Sequence, residues 1–374
     1  MNFGFSEEQE QFREIVRRFA EQRWSLEGVS TLAGADDGEA FDWQAWQQAT
    51  GELGLAGLLV PERLGGAGFG YLEMGIALEE LGRQLAGGPL WTSACLATGL
   101  LLELADEEAQ SELLPPMAAG EQLATVDVAG YLAVADGKLP TLEARPGQAG
   151  GWQINGSCAH VPFAAQSDLL LLWADHEGEA VLFAVASDAR GLTIKQTSSL
   201  DLTRSVGDLV LSAVPARRLA LASGKELTAR ALDRARAAMT AEQVGAAEAC
   251  QEQAIAWAKE RMQFSRTIGS FQAVKHRLAD GRLYLELARS AAYWAWWAAD
   301  EDAAELVEAA PLARSMCCDA FARTAADLIH LHGGMGFTWE HSAHHYYRRA
   351  RSQSVLLGDA QLERQRLADS LLGG

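Results

Sequence analysis

The sequence predicts an α+β protein in three consecutive zones: helical, β, then helical again. Three observations carry this. Apolar residues recur with helical spacing up to about Gly120. Between about residues 121 and 222, short apolar runs alternate with turn clusters. From Lys225 onward, long helical periods return. Segregated runs of this kind, without alternating strand–helix units, define the α+β class. The expected domains are residues 1–120, 121–224 and 225–374. At about 150 residues per domain, 374 residues agree with two or three domains.

In the first zone, Ser6 with Gln9 is a capping-box signature, and Phe12, Ile15, Val16 and Phe19 fall on one helical face. A second helix is expected around Trp43 to Leu53. Pro61 and the glycines from Gly65 to Gly70 mark a loop. Helices are expected again near Leu72 to Leu85, Thr92 to Leu104 and Glu107 to Met117. In the second zone, Leu169 to Trp173 and Ala180 to Val185 read as strands, with hairpin turns at Asn155-Gly156 and Glu177-Gly178. In the third, helices are expected over Lys225 to Met262, Phe271 to Asp300 and Pro311 to His332. Pro311 suits a first helical position and Gly333-Gly334 a helix stop.

Apolar residues make up 49% and charged residues 22%, so a core can form without disulfides or structural metals. The formal charge of −19 argues against nonspecific binding to nucleic acid or anionic membrane, which needs a basic surface. Five scattered cysteines (Cys95, Cys158, Cys250, Cys317, Cys318) form no CxxC pair, which predicts a reduced, cytoplasmic chain. No secretory signal and no uncharged run of about 18 apolar residues is visible.

Two motifs favour plain readings. The loop Gly65 to Gly70 does not fit G-x-G-x-x-G and has no strand–helix–strand unit around it, so an inter-helix loop is expected. His330, His332, His341, His344 and His345 cluster, and His341 with His345 has the i,i+4 spacing of a helical chelate. Yet neither H-E-x-x-H nor H-x-x-E-H is present, so no metal site is expected.

The strongest signal is the string Trp257-Ala258-Lys259-Glu260-Arg261-Met262-Gln263-Phe264, continuing through Phe271-Gln272 to Asp280. Downstream comes His332-Gly333-Gly334-Met335-Gly336-Phe337. Together with Phe5-Ser6-Glu7-Glu8 and Val60-Pro61-Glu62-Arg63-Leu64-Gly65-Gly66, these motifs resemble the acyl-CoA dehydrogenase family in order and over essentially the whole chain. The resemblance implies an N-terminal helical domain, a central β-barrel-like domain and a C-terminal four-helix bundle. It implies FAD as cofactor and an acyl-CoA as substrate. A carboxylate would take the α-proton while the β-hydride moves to flavin N5. It also implies a tetramer in which one subunit grips the ADP half of its neighbour's FAD, and an electron-transfer flavoprotein as acceptor.

The gripping positions fall on Arg261, Phe264, Gln272, His330, Gly333 and Gly334, where an Arg and a glycine turn suit a pyrophosphate. His330 stands where the family often has Gln. Other family positions are altered. The stretch whose Thr contacts the flavin ring reads Val128-Ala129-Gly130-Tyr131-Leu132, and the strand behind the flavin reads His160-Val161-Pro162, where Pro162 has no N–H to donate. The usual catalytic Glu position is Leu357, and the variant position on an earlier helix is Ala235. One candidate base remains: Glu242, two helical turns beyond Ala235 on a face with Met239, Ala246 and Ala249. An apolar stripe there would raise its pKa and suit it to proton abstraction.

Keeping the neighbour-gripping residues while replacing the ring-side ones resembles the heteromeric α2β2 acyl-CoA dehydrogenases of bacterial steroid side-chain catabolism. The leading expectation is one subunit of such an enzyme, paired with a paralogous partner and acting on a steroid-linked or other bulky acyl-CoA. Two further readings stay open: a self-sufficient homotetramer with Glu242 as base, and a non-catalytic scaffold or acyl-CoA-binding subunit.

Overall fold

The structure, a computed structural model, describes residues 4–33, 41–104, 106–147, 150–220 and 225–373. The domain boundary expected at 224 lies outside the described residues. Six helices come first: α1 (Glu7–Arg23), α2 (Leu26–Ala33), α3 (Trp43–Gly51), α4 (Tyr71–Arg83), α5 (Thr98–Leu102) and α6 (Glu107–Ala118). The capping box forms as expected: Gln9 N–H donates to Ser6 Oγ at 3.2 Å, and Ser6 N–H donates to Gln9 Oε1 at 2.9 Å. Val16 is fully buried, and Phe12 and Phe19 pack against the core, but Ile15 is 49% exposed at the edge of that face. The helix expected over Thr92 to Leu104 divides into a π-helical turn, Trp91–Ala97, followed by α5.

The middle of the chain holds β1 (Ala124–Val126), α7 (Val128–Ala135), β2 (Leu142–Pro146), β3 (Trp152–Pro162), β4 (Leu169–His176), β5 (Glu179–Ala186), β6 (Leu192–Thr197) and β7 (Val206–Leu219). Strands β4, β2, β3, β7 and β5 pair in a closed ring because β5 pairs with both β7 and β4. Strand β1 extends from β4 and β6 from β7. The barrel is filled by Leu142, Ile154, Leu170, Leu172, Phe183 and Leu209 among others. Closure removes the exposed edges a small sheet would otherwise carry.

Glu177-Gly178 is the expected hairpin, with both residues at positive φ between β4 and β5. Asn155-Gly156 is not a hairpin. It lies inside β3, where Gly156 (φ +128°) makes a bulge and Asn155 Oδ1 accepts Ala213 N–H at 2.8 Å from β7. An interior strand paired on both sides uses the dipeptide to bend rather than to turn.

The C-terminal part contains α8 (Lys225–Glu260), the two-residue strands β8 (Met262–Gln263) and β9 (Arg266–Thr267), α9 (Gln272–Asp300), α10 (Leu306–His332), α11 (Ala343–Leu356) and α12 (Ala360–Leu372). Helices α8, α9 and α10 pack on one another, α12 packs on α10, and α11 runs alongside α8, with Tyr346 opposite Gln253, Gln353 opposite Glu242 and Leu357 opposite Arg236. Helix α10 starts five residues before Pro311, so Pro311 is not at its first position. The helix stop is as expected: Gly333 adopts φ +62° and ψ −138°, a region open to glycine alone.

Helices α4 and α8 cross in intimate contact. A Cβ on Gly245 would fall 1.8 Å from Glu79 O, and one on Gly82 would fall 2.4 Å from Glu242 O. These two glycines set the depth at which Glu242 enters the interior. Among the described residues, no helix is long and apolar enough to cross a membrane, and all five cysteines are unbridged and buried.

Candidate functional site

The structure gathers the grip residues at one end of the bundle. Strands β8 and β9 pair Met262 with Thr267 and Gln263 with Arg266, leaving Phe264 and Ser265 as a two-residue turn at φ +53° and +65°. A bulky residue at positive φ is strained, and Phe264 is also 86% exposed. Strain and exposure of a large apolar ring together mark a residue built for contact. The turn folds back on the start of α9: Phe264 meets Phe271 edge-on at 6.2 Å, next to Gln272, the first residue of α9.

Arg261 lies at the base of this hairpin, exposed, with its Cζ 5.6 Å from the Trp257 ring centroid. Trp257 in turn stacks on His332 at 4.6 Å and donates its indole N–H to Leu331 O at 3.0 Å. The hairpin and the Gly333-Gly334 turn are thereby joined. A Cβ added to either glycine would meet nothing within 4 Å, so the backbone there is open to a ligand's approach. His330 is exposed in the last turn of α10, and its carbonyl accepts the Gly333 N–H. An open groove of about 840 Å³ between α9 and α10 begins beside this grip, where Ala273 and Asp327 line it.

The ring-side positions are closed. Val128 to Leu132 form the start of α7, where Tyr131 is fully buried and its hydroxyl donates to Thr228 O at 2.9 Å. Asp127, just before this helix, is buried and has no ion pair among the described residues, and that burial pushes its carboxyl up from the ordinary value. The carbonyl of Pro162 accepts the Thr125 hydroxyl at 2.5 Å. Phe163 follows at φ +49° and packs edge-on against Phe41 at 5.9 Å. Leu357 and Ala235, the two base positions, are both fully buried. They meet across Arg236, whose Nη2 donates to Leu357 O at 3.4 Å, while Ala235 O accepts the Trp91 indole N–H at 2.9 Å.

Glu242 differs from its expected setting. Its own helical face is apolar, but the facing elements bring arginines. Glu242 Oε2 accepts from Arg204 and, at 2.7 Å, from Gln353 Nε2, and Arg349 Nη1 lies 3.5 Å away. Arg349 also pairs with Asp201 at 2.6 Å. Arg314, fully buried nearby, donates to Cys318 Sγ at 2.8 Å and to Gln353 O. Burial lowers Arg204 to about 10, opposed by the Glu242 charge. So the carboxylate lies in an ion-paired core and not in an apolar stripe, because loop Asp201–Ser205 and α11 deliver cations that the periodicity of α8 cannot report. All these contacts fall on Oε2. Glu242 and Arg261 are 19 residues apart, which along α8 is about 28 Å, so the candidate base sits at the middle of the helix and Arg261 just past its C-terminal end.

The histidines do not form the helical chelate that their spacing allows, since α11 starts at Ala343, after His341. His332 and His341 pack at 4.3 Å and His344 and His345 at 4.0 Å. Among the described residues, no three His, Cys, Asp or Glu groups gather as a metal set.

A closed barrel between helical zones, with an exposed Arg261 and an open glycine turn at the bundle end, is the architecture of a flavoprotein dehydrogenase. Residues 6–121 match the acyl-CoA dehydrogenase N-terminal domain and residues 222–372 the acyl-CoA dehydrogenase C-terminal domain. The chain belongs to the acyl-CoA dehydrogenase family, whose enzymes are FAD-dependent oxidoreductases. It is 30% identical to the acyl-CoA dehydrogenase IpdE2 of Mycolicibacterium smegmatis, over 97% of this chain and 98% of that one. In structure it is similar to the ChsE4-ChsE5 complex from Mycobacterium tuberculosis, with a TM-score of 0.89, 28% identity and full coverage of both chains. It is also similar to a variant of the Tcur3481-Tcur3483 steroid ACAD, with a TM-score of 0.86, 31% identity and 98% of each chain covered.

FAD fits one part of this chain and not the other. The open Gly333-Gly334 backbone and the exposed Arg261, without an ion pair among the described residues, suit a pyrophosphate. On the ring side, Pro162 has no N–H, and its carbonyl and the Phe163 ring are already engaged. Sequence reasoning missed Trp257 as a link within the grip, and it missed Arg204 and Arg349 as the partners of Glu242. The i,i+4 relation of Trp257 to Arg261 was a usable signal for the first. Nothing in the sequence pairs the second, because the partners lie 38 and 107 positions away.

Proposed function

We propose that this chain is one subunit of an FAD-dependent acyl-CoA dehydrogenase that forms an α,β double bond in a bulky, steroid-linked acyl-CoA. In this reading it pairs with a paralogous subunit and completes that partner's FAD site. Arg261 and the Gly333-Gly334 turn hold the pyrophosphate, Phe264 and Gln272 border it, and His330 donates where the family often has Gln. FAD, when bound, supplies the two-electron acceptor for the acyl β-hydride, and an electron-transfer flavoprotein takes the electrons onward. The α-proton goes to a carboxylate of the partner. The carrying observation is the contrast between an assembled, exposed grip and sealed ring-side and base positions: Leu357 and Ala235 have no exposed surface. The similarity to a two-component complex and to a steroid ACAD supports the subunit arrangement and the substrate class.

The test is flavin per chain, with native mass, on protein purified with its natural partner. One FAD per pair of unlike chains is expected. One FAD per copy of this chain in a homotetramer overturns the reading. The contacts on Glu242 favour one second reading. They fall on Oε2, and a carboxylate anchored through one oxygen can present the other, so a homotetramer could use Glu242 as base. Turnover by the isolated chain that Glu242→Gln abolishes would support that reading.

A further inference from the structure

We propose that Trp257 is a positioning residue of the cofactor grip, whose indole face couples Arg261 to the Gly333-Gly334 turn so that both meet the ADP half of FAD as one preset surface. The inference rests on the reading that this chain grips a partner's FAD. Trp257 stands in the last turn of α8, four residues before Arg261, the spacing that brings two helical side chains together. Among the described residues, the Arg261 guanidinium has no carboxylate partner; it lies by the indole, 5.6 Å from its centroid.

An exposed arginine otherwise loses rotamer freedom when it engages an anion. Resting it on an aromatic face spends part of that entropy before the ligand arrives. The same ring stacks on His332 at 4.6 Å with 18° between planes. His332 is itself held, with Nδ1 at 2.8 Å from Leu328 O and the His341 ring at 4.3 Å. The indole N–H caps Leu331 O, one of the last carbonyls of α10, where the chain turns at Gly333. One side chain therefore fixes both the arginine and the turn.

The experiment measures the FAD dissociation constant by titrating flavin into the apo assembly of this chain with its partner and following flavin fluorescence. Native mass and apo thermal midpoint are recorded as controls. Trp257→Leu keeps apolar bulk without the aromatic face, and Trp257→Phe restores that face. Trp257→Leu and Arg261→Ala should each weaken FAD roughly tenfold. The double variant should lose less than the two single losses multiplied, because the indole acts in part through the guanidinium, and Trp257→Phe, which keeps the face but not the N–H, should fall between wild type and Trp257→Leu. An unchanged constant for Trp257→Leu, losses that multiply in the double variant, or a Trp257→Phe as weak as Trp257→Leu would each overturn the proposal. Arg261→Ala binding FAD normally would instead overturn the grip reading beneath it.

Discussion

Replacing Glu242 by Gln probes the centre of the molecule. The side chain keeps its shape and loses its charge. Arg204 is 8% exposed and Arg349 2%, so neither guanidinium can turn to water when its counter-charge goes. Asp201 stays with Arg349, leaving Arg204 facing a neutral amide. Removing one side of a buried ion pair costs about 3–5 kcal/mol. With unfolding entropy of roughly 2.1 cal/mol/K per residue, 374 residues give about 0.8 kcal/mol/K, so Tm should fall by about 4–6 °C. Circular dichroism of the holo assembly during heating measures this, with acyl-CoA turnover followed in parallel. A variant that melts within about 1 °C of wild type would refute the ion-pair argument. If such a variant also lost turnover, Glu242 would be acting as a base and not as a strut.

Phe264→Gly should relieve the left-handed turn and stabilise the isolated chain by about 1 kcal/mol, while weakening flavin retention in the assembly; urea unfolding and flavin release report the two effects separately. Gly245→Ala drives a Cβ into Glu79 O and should cost about 1–3 kcal/mol in the same urea assay, with an unchanged midpoint counting against the close α4–α8 crossing. His345 is buried and its pKa falls to about 4, through desolvation first and the neighbouring His344 second. Its charged form is disfavoured in the fold, so its contribution to stability is full above about pH 6.5 and is lost as pH falls towards 4. His345→Phe should flatten the acid limb of the stability profile over that window, and a superimposable limb would show that His345 does not control it.

The sequence by itself determined the order of elements and the family. Ser6 and Gln9 cap α1, Gly333 stops α10, and Glu177-Gly178 closes a hairpin because each signal is local and needs no distant partner. The nearness of Arg261 to Phe264 was legible for the same reason: they flank one hairpin, and their spacing carries their geometry. Asn155-Gly156 misled, since whether a strand turns or bulges depends on strands paired to both its sides. Pro311 misled because α10 had already begun where packing, and not proline, set its start.

Only the tertiary structure decided the state of Glu242. Helical periodicity describes the face that α8 presents, but it is blind to what arrives opposite. There, Arg204 comes from the loop before β7 and Arg349 from α11, and both converge on one carboxylate. Tertiary packing also brought Trp257 to His332, joining two segments that lie about 75 residues apart in the chain. Charge pairing and stacking are short-ranged in space and indifferent to separation along the chain, which is why the fold had to reveal them.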